Sequence, residues 1–227
     1  LYNIYFNNKS TADFYLITKD IGRRKRANEQ IDQYPVPYRN GDLIIHSNKY
    51  NSYTRPMLFT ATEPLALPAI YEWLDGSGEL RTDLDKGGFF LTSVIGEIDQ
   101  QPDGPILNEL AVEFLVEPFF YLDSGTQTIE LTGPTTLINQ GTIESEPLIT
   151  IYGSGDVDFN VNSQVVTVQG IVESITMDTK NLVCYCGNKN EGRKMNGEYI
   201  RLDKGANAIS WTGNITKVEI TPRWCER

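Results

Sequence analysis

Glu109-Leu110-Ala111-Val112-Glu113-Phe114-Leu115-Val116 is a stretch read at a period of two. Successive side chains of a strand point to opposite faces, so Leu110, Val112, Phe114 and Val116 share one face while Glu109 and Glu113 mark the other. The same half-buried pattern recurs upstream in Asp42-Leu43-Ile44-Ile45-His46 and Arg55-Pro56-Met57-Leu58-Phe59-Thr60. Downstream it returns in Thr128-Ile129-Glu130-Leu131, Pro147-Leu148-Ile149-Thr150-Ile151-Tyr152-Gly153, Val157-Asp158-Phe159-Asn160-Val161, Val165-Val166-Thr167-Val168 and Lys217-Val218-Glu219-Ile220-Thr221. Turn signals punctuate these runs at Asn40-Gly41, Asp103-Gly104-Pro105, Ser124-Gly125, Ser154-Gly155 and Lys204-Gly205. The fold class this predicts is mainly β.

One segment has helical spacing. In Pro68-Ala69-Ile70-Tyr71-Glu72-Trp73-Leu74 the proline suits a first turn, and Ile70, Trp73 and Leu74 recur on one face. Asp75-Gly76-Ser77-Gly78 ends it, and Glu79-Leu80-Arg81-Thr82 returns to strand. The alternation breaks near Glu117-Pro118-Phe119-Phe120-Tyr121, and Asp123-Ser124-Gly125-Thr126 is a polar connector. Two domains are expected, 1–122 with the short helix and 123–227 as an all-β sandwich.

The chain of 227 residues sets 20 Lys plus Arg against 30 Asp plus Glu, a formal charge of −10. Such a balance repels the phosphate backbone and anionic lipid, which argues against general nucleic-acid or membrane binding. Residues 1–6 hold neither a basic leader nor an apolar h-region, and no run approaches the length of a membrane span, so a soluble, non-exported chain is expected. Three cysteines do not make a disulfide framework. Cys184 and Cys186, two apart on a strand, are expected to be buried on one face as small apolar side chains, with free thiols pointing to assembly in the cytoplasm.

Candidate chemistry is sparse. The one histidine, His46, has neither a G-x-S-x-G elbow nor a cysteine paired with it in sequence, so no catalytic residue is assigned and the chain is expected not to be an enzyme. Asp83-Leu84-Asp85-Lys86-Gly87 begins like a calcium loop but lacks its later ligands and terminal Glu. The pairs Asp83/Asp85 and Asp156/Asp158 are expected in turns or on the surface. No metal site is assigned, since three Cys and one distant His do not supply the usual four ligands, and no phosphate loop or dinucleotide fingerprint is present, so no cofactor is expected. Trp211 and Trp224 are expected in the core, with stacking on a sugar ring as the alternative. Arg23-Arg24-Lys25-Arg26 is the one basic run, expected as a flexible loop that orders against an acidic neighbour on assembly; a solvated loop and a DNA contact are its alternatives.

Taken in order, Tyr34-Pro35-Val36-Pro37-Tyr38-Arg39-Asn40-Gly41-Asp42-Leu43, the helix with Glu72-Trp73-Leu74-Asp75-Gly76, and Glu79-Leu80-Arg81-Thr82-Asp83 resemble the distal tail protein family of siphophages. Val112-Glu113-Phe114 leading to Glu117-Pro118-Phe119-Phe120-Tyr121 resembles the end of that family's first domain. Leu137-Ile138-Asn139-Gln140-Gly141-Thr142 with Glu146-Pro147-Leu148-Ile149-Thr150-Ile151-Tyr152-Gly153 resembles the opening of its second. The resemblance implies a β-rich first domain carrying one helix, closing with its copies into a hexameric ring, and a galectin-like β-sandwich second domain. It implies a structural protein of the virion, at the tip of a long non-contractile phage or prophage tail, assembled in the bacterial host cytoplasm. Implied partners are the tail-tube protein, the tape-measure protein and a tail-tip or tail-associated lysin protein, with a receptor-binding protein at the periphery in some members; DNA passes through the channel only as cargo. The rival function is a carbohydrate-binding β-sandwich module attaching to host cell-wall glycans. Galectin-type sugar recognition uses a His, and residues 123–227 contain none.

Overall fold

The computed structural model describes residues 2–104 and 106–227; Leu1, and Pro105 of the predicted turn Asp103-Gly104-Pro105, lie outside the described residues. The chain divides into two compact units, Leu1–Phe120 with Arg227, and Tyr121–Glu226.

In the first unit the strands are β1 (Ile4–Phe6), β2 (Lys9–Ser10), β3 (Leu16–Asp20), β4 (Glu29–Pro35), β5 (Asp42–Tyr50), β6 (Tyr53–Ala61), β7 (Ser77–Thr82), β8 (Gly88–Asp103) and β9 (Leu107–Leu122). One sheet runs β2-β1-β7-β8-β9-β6-β3, and among the described residues β4 pairs only with β5. The decisive stretch sits in β9, antiparallel to β6 from Tyr53↔Val116 to Ala61↔Asn108. Leu110, Val112, Phe114 and Val116 are buried, as their shared face requires. Removing each from water stabilises the fold by about 1.5–3 kcal/mol before entropy is counted. Opposite the expected break near Glu117, β9 continues to Leu122, because Phe120 and Tyr121 remain buried and keep the strand attached to a core.

The helix α1 (Leu67–Trp73) starts one residue earlier than its sequence signal, with Pro68 in its first turn and Gly76 at φ 81 just beyond its end. Ile70, Trp73 and Leu74 are buried. Trp73 stacks on Phe14 with ring centroids 4.6 Å apart and donates its indole N–H to the Phe6 carbonyl at 2.8 Å, so the polar end of a large apolar side chain is satisfied.

The β4–β5 hairpin corrects the sequence reading. Period-two alternation in Asp42-Leu43-Ile44-Ile45-His46 predicted a half-buried strand, yet residues 42–49 are exposed throughout. A period of two specifies a strand without specifying that a layer covers it, and in this unit nothing does.

The second unit holds β10 (Ile129–Leu131), β11 (Thr135–Asn139), β12 (Leu148–Val161), β13 (Gln164–Ile171), β14 (Ser174–Asp178), β15 (Val183–Cys186), β16 (Lys189–Asn190), β17 (Met195–Asn196), β18 (Gly205–Thr221) and the short β19 (Cys225–Glu226). The predicted turn at Ser154-Gly155 is instead a bend inside β12, where the register against β18 shifts between Tyr152 and Gly153 and again between Ser154 and Asp158. Residues 148–152 pair with β14, whereas residues 157–161 pair with β13. The bulges thus let two long strands, β12 and β18, serve two layers of a β-sandwich. Gly213 makes the bend in β18: its φ is 95, and an added Cβ would lie 2.6 Å from the Asp156 carbonyl oxygen. Both halves feed one core, including Ile149, Ile151, Phe159, Val161, Val168, Met177, Val218 and Ile220.

Candidate assembly interface

The basic run follows β3 and precedes β4, in a segment with no regular structure. The sequence predicted a flexible loop; the structure shows the segment touching the sheet through Ile21, Gly22 and Arg24. β3 stops pairing with β6 at Asp20↔Leu58, and Pro56, with no N–H to offer, occupies the stretch of β6 beyond. Ile21 and Gly22 lie against that stretch. Gly22 takes φ 64, and a Cβ there would meet the Pro56 carbonyl oxygen at 2.2 Å. Arg55, 1% exposed, donates its Nε–H to the Ile21 carbonyl at 2.8 Å and its Nη1 to Asp85 Oδ2 at 3.1 Å.

Asp85 does lie in the turn between β7 and β8, as expected, with its N–H donating to the Thr82 carbonyl at 3.1 Å, but its carboxylate is not on the surface. It is 8% exposed, accepts the Thr82 hydroxyl at 2.9 Å, and its backbone N–H donates to Thr82 Oγ1 at 3.1 Å. Arg24 reaches its other oxygen at 3.4 Å and lies over the Phe120 ring, 4.6 Å from the centroid. A buried cation-carboxylate pair of this kind relies on additional hydrogen bonds to offset its desolvation, and here the Ile21 carbonyl, the Thr82 hydroxyl and Arg24 supply them. Of the four basic residues, then, Arg24 is held in place. Arg23, Lys25 and Arg26 are exposed and make no ion pair among the described residues.

The hairpin after the loop presents Ile31, Tyr34, Leu43, Ile44 and Ile45 to solvent, each at least two-fifths exposed. At its root Tyr50 meets Phe119 edge to face with centroids 5.4 Å apart, and the Arg227 guanidinium lies over the Tyr50 ring at 4.7 Å. His46 is exposed and faces Glu29 Oε2 at 3.1 Å; that contact holds the Glu29 carboxyl below its usual range.

The other candidates fall into structural roles. Asp83 accepts the Asn3 N–H at 2.8 Å. Asp156 accepts the Gly170 N–H, and Asp158 accepts the Thr167 and Thr212 hydroxyls, so this pair ties strands together. Trp224 is 1% exposed, which leaves no ring face for a sugar; Trp211 is half-buried and stacks on Phe159 at 6.4 Å. Cys184 is buried as expected, but Cys186, at the end of β15 where no layer covers it, is exposed. Cys225 is buried and its thiol is pushed up to about 12 by burial. Among the described residues no group of three or more His, Cys, Asp or Glu side chains is placed to hold a metal, and no helix is long and apolar enough to cross a membrane.

Sequence reasoning missed a further feature. No Lys or Arg occurs between Lys86 and Lys180, so the C-terminal part of β8 carries Glu97, Asp99 and Asp103 with no cation nearby in sequence. The charge pattern along the chain, read in windows and not as one net value, was the signal available for it.

The sequence matches no protein-family model and no curated protein. Its fold is similar to that of a solved phage protein, SPP1 Dit (gp 19.1), described as a paradigm of the hub adsorption apparatus in phages infecting Gram-positive bacteria. The TM-score is 0.74 at 10% sequence identity, over 97% of this chain and 98% of that one. The resemblance read from ordered sequence pieces is thus borne out in the fold: from end to end, this chain folds as the SPP1 Dit protein does.

Proposed function

We propose that the chain is a structural hub protein of a long non-contractile phage or prophage tail, closing in six copies into a ring that joins the tail tube to the tail tip or adhesion device. The observation that carries this is the match to a hub protein over nearly the whole of both chains. The uncovered β4–β5 hairpin supports it, because a two-stranded hairpin is marginal alone and an exposed edge invites pairing. In this reading the first unit builds the ring and the second, galectin-like in shape, sits at the periphery. The partners are the tail-tube, tape-measure and tail-tip or tail-associated lysin proteins, and the role involves no covalent chemistry. The protein belongs to the virion and is assembled in the host cytoplasm.

The carbohydrate-binding alternative loses Trp224 as a stacking platform, since that ring is enclosed in the core. Antibodies raised against the chain, applied to intact tails and viewed by electron microscopy, test the placement. Label at the end of the tail remote from the capsid supports the hub reading, and label along the shaft or none on tails overturns it.

A further inference from the structure

Two oppositely charged, partly apolar surfaces lie at opposite ends of one strand. Arg24 stands over Phe120 and Tyr50 meets Phe119, which fixes the basic loop and the root of the β4–β5 hairpin at the C-terminal end of β9. Along the N-terminal half of β9, on β8 beside it, are exposed Glu97, Asp99 and Asp103, with exposed Ile106 and Leu107 at the end. From Leu107 to Phe120 the strand runs roughly 40 Å at about 3.3 Å per residue. The screening length is only about 8 Å at physiological salt, so within one chain the two charge clusters cannot satisfy each other.

We infer that the basic loop and β4–β5 hairpin of one copy dock on the acidic β8–β9 end of a second copy. This rests on the hub reading and names the contact that would make the ring. Arg23, Lys25 and Arg26 are the available cations, and Glu97, Asp99 and Asp103 the available anions; neither set makes an ion pair among the described residues of its own chain. The apolar side chains are distributed to match. Ile31, Tyr34, Leu43, Ile44 and Ile45 crowd the hairpin, and Ile106 and Leu107 lie within the acidic end. A two-fold axis through either patch would set like charges against each other. Complementary patches at opposite ends of one strand favour a head-to-tail contact, and head-to-tail contacts close into rings when the rotation per copy divides a full turn. Charge complementarity sets register and excludes wrong partners, while the apolar hairpin supplies burial.

The test is a charge exchange in the full chain. One variant carries Arg23→Glu, Lys25→Glu and Arg26→Glu; the other carries Glu97→Lys, Asp99→Lys and Asp103→Lys. All six side chains are exposed, so thermal melts of both variants should match the native protein. Each variant alone should self-associate on the order of a hundredfold more weakly, since like charges then face one another. Mixing the two variants restores opposite charge at every junction and should recover assembly to within about tenfold of native. Variants that assemble like the native protein, or a mixture no better than its components, overturn the pairing. The native protein's own mass reads the hub proposal separately: a ring that ignores the exchange leaves the hub standing without this contact, and a native monomer removes both.

Discussion

Replacing Arg55 by Met tests what holds the basic loop to the sheet. The side chain is 2% exposed and contributes two bonds, one to Asp85 at 3.1 Å and one to the Ile21 carbonyl at 2.8 Å. Methionine fills similar volume but leaves the Asp85 carboxylate, 8% exposed, with the Thr82 hydroxyl and the more distant Arg24 as its charge-stabilising partners. Severing one partner of a buried pair costs about 3–5 kcal/mol, because the other charge stays buried. Arg24 can close part of that gap, which brings the expectation to about 3 kcal/mol. Hydrogen exchange read on peptides from β6 and β9 reports the opening free energy of the first unit by itself. The double variant Arg55→Met/Asp85→Leu removes both charges and should return to about native stability, about 3 kcal/mol above Arg55→Met. A single-variant cost below about 1 kcal/mol, the size of one ordinary hydrogen bond, or a double variant as weak as the two singles added, would refute the reasoning.

Gly22→Ala combines a left-handed backbone with a Cβ 2.2 Å from the Pro56 carbonyl; it should cost about 2–3 kcal/mol and raise exchange of the amides in residues 21–27, measured by the same method. In a thiol titration of the native protein at pH 8, Cys186 should react rapidly and Cys184 and Cys225 only after unfolding, because burial raises both buried thiols. Burial raises the Asp178 carboxyl, but the Arg223 guanidinium at 2.6 Å and the Asn181 amide at 2.8 Å outweigh it and hold the group below its ordinary 3.8. A depressed carboxyl stabilises above its unfolded pKa and loses that stabilisation as pH falls through its folded value. Arg223→Gln should therefore cost about 1–3 kcal/mol near pH 7 in urea unfolding, with the gap to native protein narrowing as pH drops below 3.8; a gap constant from pH 7 to pH 2 would show that the pair contributes nothing.

How much of this was legible in the sequence depends on which physical quantity each pattern encodes. Alternation in Leu110, Val112, Phe114 and Val116 encodes a buried face, and the structure buries all four. Helical spacing at Ile70, Trp73 and Leu74 encodes a local stripe, and α1 falls within one residue of it. The β4–β5 hairpin carries a comparable pattern with no covering layer, because coverage is decided by elements remote in sequence. The same reason hid Asp85: its partner Arg55 is thirty positions away, and only the folded sheet brings β6 and the β7–β8 turn together. Ser154-Gly155 looks like a turn because a bulge uses the same glycine chemistry as a chain reversal, and here the long pairing of β12 with β18 carries the strand through. For the candidate interface, the basic run was visible as a charge block, while its anchoring at Arg24 and its acidic counterpart on β8 required the three-dimensional arrangement.

The most direct measurement is the solution mass of the purified chain by light scattering after size exclusion, with negative-stain images of the same peak. A particle of about 150 kDa, six times the 25.6 kDa chain, showing six-fold averages around an open centre, is the expected result. A monodisperse 25.6 kDa species that persists at high concentration would contradict the hub proposal.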